Sequence, residues 1–288
     1  MNRRKIGIII TVILLFANAT ETKSQGYKDY KKIHKMYKNL HVADSLYDAK
    51  NYKSAIKFYK KSKDAYYYKD MMVSQIARCY YALDDTVKAQ EYIKKIRKEK
   101  VEQNINEKLR AEFLTRKVND QMYRSSSNDS LWIIQKEHDK DNQHFLDSII
   151  NEYGRFPSIS MIGQDGSAAA FLFAQHADND VEFQEKCLKF MKEALIKNDV
   201  FRHDFAYLMD RIMVNKHGNQ LFGSQCTVVD GVLQSRPLYD EKIIKTLRNY
   251  FWMNPLEEYL EFMQGRQKKL DENKRTEQQD LDLKLNEE

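Results

Sequence analysis

Asn51-Tyr52-Lys53-Ser54-Ala55 and Asp85-Thr86-Val87-Lys88-Ala89 are two copies of one pattern, with their alanines 34 residues apart. At the same offset Ala43 pairs with Ala77, Leu46 with Tyr80, and Tyr59 with Ile93. A fixed period of this length marks a repeat of one supersecondary unit. The spacing of apolar residues says that the unit is helical. Tyr30, Ile33, Tyr37, Leu40, Ala43 and Tyr47 form the stripe that one face of an α-helix presents. Ala55, Ile56 and Tyr59 continue it on a second helix. Val73, Ile76, Ala77 and Tyr80 mark a third helix, and Ala89, Ile93 and Ile96 a fourth. Val101, Ile105, Leu109 and Phe113 predict one more helix, stacking on the repeat.

Small residues at the close-packing points of a 34-residue period resemble the tetratricopeptide repeat. The alanines match that family's small positions, and Tyr59 and Ile93 its large one; its tryptophan and terminal proline have no counterpart here. The resemblance implies antiparallel helix pairs that form a peptide groove or a packing scaffold, and no catalysis. Tyr66-Tyr67-Tyr68 is then either a groove lining or helix-end packing.

Composition sets the outer limits. The chain has 288 residues, of which 42% are apolar and 31% charged, with three prolines, nine glycines and three cysteines. That suits one or two soluble helical domains and excludes collagen-like, low-complexity and disulfide-scaffold classes. Arg3, Arg4 and Lys5 precede an apolar run from Ile6 to Ala17, and Ala17-Asn18-Ala19 follows with small residues at a cleavage-site spacing. This reads as a secretory signal peptide over 1–19, with 25 as the alternative end. The run is shorter than the roughly 20 residues that span a bilayer, although a retained anchor is the other reading. No later segment is apolar enough to cross a membrane, so the expected location is the periplasm or beyond. Cys79, Cys187 and Cys226 are odd in number, and a Cys187–Cys226 disulfide stays open.

Charge divides the chain. Gly26–Lys100 carries 19 Lys/Arg against 9 Asp/Glu, and Val101–Glu288 carries 25 against 32. A basic front half suits an acidic partner, anionic lipid or nucleic acid, or else a solvated lysine face. Export argues against nucleic acid. Ser125-Ser126-Ser127-Asn128 supplies the domain boundary, giving a repeat domain over 26–124 and a second domain over 128–264. Beyond lies a charged tail over 265–288, read as frayed helix or disorder.

Within the second domain Ser130 is placed as a helix cap, Gly154 as a left-handed stop and Asp180 as the cap of a helix over Val181–Lys197. Gly163–Ser167 reads as a turn opening onto a helix over Ala168–Ala177, with weak potential as an anion site. A helix over Arg202–Asn215 ends before Gly218. Thr227-Val228-Val229, Asp230-Gly231 and Val232-Leu233 read as a strand, a two-residue turn and a strand. Helices over Asp240–Trp252 and Pro255–Gln264 follow. The fold class is therefore mainly α: a short repeat array, then a helical domain with one β-hairpin.

Gln175-His176-Ala177-Asp178, Asp210-Arg211 and Phe222-Gly223-Ser224-Gln225 resemble, in this order, the Q-H-A-D, D-R and Y-G-T-Q elements of a bacterial domain family of unknown function. The resemblance implies a domain boundary and a residue list, with no mechanism attached. Gln175 falls on an apolar stripe with Ala168, Phe171 and Leu172, so its amide needs a partner from protein or ligand. His176 stands in a last helical turn, where the helix dipole favours an imidazolium. It reads as a structural group, an acid/base or a ligand contact. Tyr207 and Arg211 are i,i+4 neighbours, and Arg211 offers a planar fork for an anion. Asp210 is a candidate to orient His176. Asp178, Gln184, Gln220 and Gln225 add polar groups suited to a neutral ligand or to an interior network. No nucleophile elbow and no recognised zinc spacing occurs, so no metal or cofactor is expected.

The leading reading is an exported binding protein. Its repeat half would take a protein or peptide partner, acidic by charge, and its second domain would hold a polar ligand or brace the assembly. The alternative is an envelope hydrolase with His176 as base, Asp210 as orienter and Arg211 as anion clamp. N-terminal sequencing of the protein secreted by a bacterial host is expected to begin at Thr20, or at Gly26 for the alternative end. Recovery of an N-terminus at Met1 would replace the signal peptide with an anchor.

Overall fold

A computed structural model describes residues 31–62, 69–96, 102–124, 126 and 128–287. The leader, Tyr66–Tyr68 and Val101 lie outside the described residues. The chain divides into two compact units, Met1–Ile96 and Arg97–Glu288. The fold is mainly helical, and among the described residues the strands make one two-stranded hairpin. No helix among them is long and apolar enough to cross a membrane.

In the first unit the helices are α1 (31–48), α2 (Tyr52–Lys61), α3 (Lys69–Tyr81) and α4 (Thr86–Ile93). The turns between paired helices repeat in atomic detail. Lys50 and Asp84 both take the left-handed conformation, at φ 57° and 60°. The next residue caps the following helix in each copy: the Ser54 N–H donates to Asn51 Oδ1, and the Lys88 N–H donates to Asp85 Oδ1. Ala43, Ala55, Ala77 and Ala89 are all buried where helices approach. Tyr59 crosses the first pair, packing its ring inside and donating its hydroxyl to Asp44 at 2.8 Å. The equivalence stops at Ile93, which is 38% exposed where Tyr59 is 1% exposed.

The second unit holds α5 (Glu107–Met122), α6 (Asp129–Tyr153), α7 (Ile159–His176), α8 (Val181–Ile196) and α9 (Arg202–His217). The hairpin β1 (Cys226–Val229) and β2 (Val232–Ser235), α10 (Ile244–Tyr250) and α11 (Leu256–Glu287) follow. α7 packs against α5, α6, α8 and α9. Its Ala169, Ala170 and Ala174 let four neighbours come close, and Phe171 and Phe173 fill the space between them. Phe113 of α5 stacks on Phe173 and meets Phe145 of α6 at ring distances of 5.7 and 4.9 Å.

Local signals held where the geometry is local. Gly154 and Gly218 stop α6 and α9 at φ 63° and 71°, and Asp180 accepts the Phe183 N–H as the cap of α8. Asp230 and Gly231 turn the hairpin with positive φ at both positions, the twist that a two-residue loop requires.

Several expectations are corrected. The helix containing Phe113, α5, packs on α6 and α7 and belongs to the second unit, so the boundary lies at 96/97 rather than at 125–128. Its apolar stripe suits either neighbour, and tertiary contact decides. The cap of α6 is Asn128, which accepts the Ser130 N–H, so Ser130 is not the cap. Gly163 is a kink inside α7 at φ 76° rather than a turn before a helix. Of the two readings of the tail, frayed helix or disorder, the helical one fits: α11 continues to Glu287. All three cysteines are free, so Cys187 and Cys226 are unbonded.

Gly223 and Gly231 separate backbone strain from packing. A Cβ at Gly231 meets nothing within 4 Å, whereas one at Gly223 lies 2.8 Å from Leu256 Cδ1; both residues have positive φ. Gly231→Ala is expected to cost roughly 1–2 kcal/mol from backbone conformation alone. Gly223→Ala should cost about 1 kcal/mol or more beyond that, from overpacking. Urea unfolding followed by fluorescence checks this, since both tryptophans, Trp132 and Trp252, lie in the second unit.

Candidate functional site

Beside the Phe113–Phe145–Phe173 layer the core turns polar. Asp120, on the inward face of α5, is fully buried. His176, the last residue of α7, places Nδ1 3.0 Å from its carboxylate. A carboxylate only accepts, so Nδ1 carries the proton and Nε2 is the basic nitrogen. Nε2 meets no hydrogen-bond partner among the described residues, and the side chain keeps 13% of its surface exposed. Arg124, one turn beyond Asp120, donates to it at 3.0 Å and also to Asp139 of α6. Gln135 donates to the Asp120 carbonyl at 2.8 Å and to Asp139 at 3.1 Å, and accepts the Tyr123 N–H. Burial acts to raise the Asp120 carboxyl. The hydrogen bond from His176 and the charges of His176 and Arg124 outweigh it and hold the group below the usual carboxylate range.

Asp178 lies two residues past His176. Arg211 of α9 grips it through Nε and Nη2, both at 2.5 Å, and reaches Gln225 at 3.5 Å. Burial works against ionisation of Asp178, and the Arg211 bonds and charge, aided by His176 and Gln184, lower it. Gln184 of α8 is fully buried and donates to the carbonyls of Ala174 and Gln175, which α7 leaves unpaired at its end. The Gln175 side chain is half-buried and makes no hydrogen bond among the described residues, so the partner its apolar stripe demanded is not required.

Asp210 stands apart from His176. It is fully buried and accepts the N–H groups of Leu221, Phe222 and Ser224 at 2.8, 3.0 and 2.9 Å, and the Ser224 hydroxyl at 2.8 Å. Burial pushes its carboxyl up to about 6 against the pull of these donors. Gln220 completes the loop, donating to the carbonyls of Gln225 and Arg236 and accepting the Gln225 N–H. Buried Arg248 donates to the Phe222 carbonyl at 2.6 Å, and Tyr259 donates to the Ser224 carbonyl at 2.9 Å. Tyr207 packs its ring among Phe171, His203 and Tyr259, and burial raises its hydroxyl.

The predicted constellation therefore separates into two groups. His176, Asp178, Gln184, Arg211 and Gln225 form one chain of contacts around the end of α7. Asp210, Gln220 and Ser224 hold the Phe222–Gln225 loop. The carboxylate on His176 is Asp120, so Asp210 does not orient it, and Arg211 is already paired with Asp178. Sequence reasoning missed Asp120, Arg124, Gln135 and Asp139. The available signal was two i,i+4 polar pairs, Asp120/Arg124 and Gln135/Asp139, on helices with apolar stripes.

Asp120, Asp139 and His176 bring ligand atoms within 4.8 Å of one another, a geometry that could hold a metal ion. Arg124 supplies positive charge between the two carboxylates, which makes a further cation unfavourable there. At the α7 kink Asp165 accepts the Gly166 N–H and pairs with Arg110, so the chain's own carboxylate takes the place an anion would occupy.

Residues 112–268 match the model of a family of unknown function (DUF6624), and the chain belongs to that family. No curated protein and no solved structure matches it. The matched span begins inside α5 and includes Asp120, in accord with the packing of α5 in the second unit.

Because folding lowers the Asp120 pKa, the ionised group stabilises the protein above the ordinary carboxylate value of about 4, and that contribution is lost as pH falls through the lower folded value. Asp120→Asn is expected to cost roughly 3 kcal/mol at pH 7. The gap between wild type and variant should narrow below about pH 4. Urea titrations at pH 7, 5 and 3 check the sign; a gap that widens in acid contradicts it.

Proposed function

We propose that the protein is an exported interaction protein. The first unit acts as a tetratricopeptide-like array for an acidic protein or peptide partner, and the second braces it. The observation that carries this reading is the repeat itself. Two helix pairs share the same turn, the same cap and the same buried alanines at a 34-residue offset. Such units serve by displaying a surface rather than by assembling reacting groups. The surface here is basic: Lys35, Lys38, Lys53, Lys57 and Lys60 are all exposed. Export rests on the Arg3–Ala19 pattern.

The bracing role draws support from the occupied carboxylates of the second unit. Asp120, Asp139, Asp178 and Asp210 are each occupied by side chains or amides of the same unit, which orders helix ends and a loop. Hydrolysis by His176, Asp210 and Arg211 draws none, since the three do not face one cleft and Ser224 bonds a carboxylate instead of a histidine. A second reading is favoured by one observation: Nε2 of His176, unpartnered among the described residues, suits a hydrogen bond to a small polar ligand.

Fluorescence anisotropy of a labelled octaglutamate peptide with the full chain tests the leading reading. Binding should appear at low salt and weaken as salt is raised past 0.15 M, while a neutral Gly-Ser peptide should not bind. Equal binding of the neutral peptide, or no binding of octaglutamate, would sink it.

A further inference from the structure

Lysines on helix surfaces are usually free to wander, and their ammonium groups lose conformational entropy when a ligand fixes them. One group in the first unit departs from this. Tyr80, at the end of α3, and Tyr92, on α4, lie with ring centroids 5.5 Å apart, each half-buried. The Lys60 ammonium from α2 stands 5.9 Å from the Tyr80 centroid and 5.7 Å from the Tyr92 centroid, and donates to the Tyr80 hydroxyl at 3.4 Å. Lys95 places its ammonium 4.2 Å from the Tyr92 centroid, and Lys88 lies 5.6 Å from that of Tyr80. Ring quadrupoles attract cations at these distances. Helices α2 and α4 and the turn after α4 thus deliver ammonium groups to one aromatic pair.

The charges are not equally available. Lys88 is paired with Asp85 at 2.5 Å. Lys60 and Lys95 meet no carboxylate among the described residues, and both are exposed. Two held ammonium groups with no carboxylate partner among the described residues, beside a half-buried aromatic surface, suit discrete carboxylates. Nucleic acid is set aside by the export that the Arg3–Ala19 pattern implies.

We infer that the Tyr80–Tyr92 pair, with Lys60 and Lys95, is the docking contact for an acidic segment of a protein partner. This rests on the binding reading above and assigns its place. The rings hold the two ammonium groups ready, so affinity depends on the rings as well as on the charges.

The full chain and labelled octaglutamate decide it. Lys60→Gln with Lys95→Gln should weaken binding tenfold or more, while Lys136→Gln with Lys140→Gln on α6 should change it less than twofold. Tyr92→Leu leaves the net charge intact and should weaken binding three- to tenfold, with Tyr92→Phe restoring it to within threefold. Circular dichroism confirms that each variant remains helical. Equal losses in the two lysine pairs, or no effect of Tyr92→Leu, overturn the contact while the binding reading survives. Absence of any octaglutamate binding by wild type overturns both. Phosphatidylglycerol vesicles that bind through Lys60 and Lys95 more tightly than the peptide would overturn the choice of a protein partner.

Discussion

A helix covered by four neighbours cannot leave the unpaired groups at its ends to water, and α7 is such a helix. The rest of the second unit answers that requirement. At the N-terminal end the Asp199 carboxylate accepts the Ser160 N–H and the hydroxyls of Ser158 and Ser160, while the amides of Asn104 and Asn106 reach the carbonyls of Ser160 and Met161. At the C-terminal end Gln184 meets the Ala174 and Gln175 carbonyls, and His176 turns onto Asp120. Each solution draws a residue from a different element. Satisfying α7 therefore also positions the segment before α5, α5 itself, α8 and the segment before α9.

The polar residues that look like chemistry in the sequence are mostly the means of that satisfaction. Asp210 and Gln220 are required because the Phe222–Gln225 loop turns inward with its N–H groups unpaired, and a buried carboxylate or amide can meet several at once. Arg211 and Asp178 neutralise one another beside the end of α7. His176 keeps Nε2 without a partner among the described residues, and it owes its orientation to Asp120, on a helix that carries no recognisable motif.

The first unit follows a different logic. Its interior is aliphatic and aromatic, its turns repeat, and its lysines lie outside. Ile93 is exposed where the first pair buries Tyr59, so the two pairs differ at this position. The basic charge and the ring-held lysines belong to this unit, and the hydrogen-bonded carboxylate network belongs to the other.

What the sequence by itself determined is what a few neighbouring residues can settle. The helical stripes, the Asp180 cap, the Gly154 and Gly218 stops and the Asp230-Gly231 turn each depend on contacts within about one turn of chain. What the tertiary structure decided is which apolar stripe meets which, and hence which polar groups share a space. Asp120 and His176 are 56 residues apart, and Asp210 and the Ser224 N–H are 14 apart. Nothing in the spacing of either pair distinguishes it from the pairing of His176 with Asp210. The stripe of α5 fits a repeat neighbour or α7 equally well as a pattern. Burial selects between them only when all the helices have packed, because the cost of an unmatched buried charge falls on the assembled core and not on any single helix.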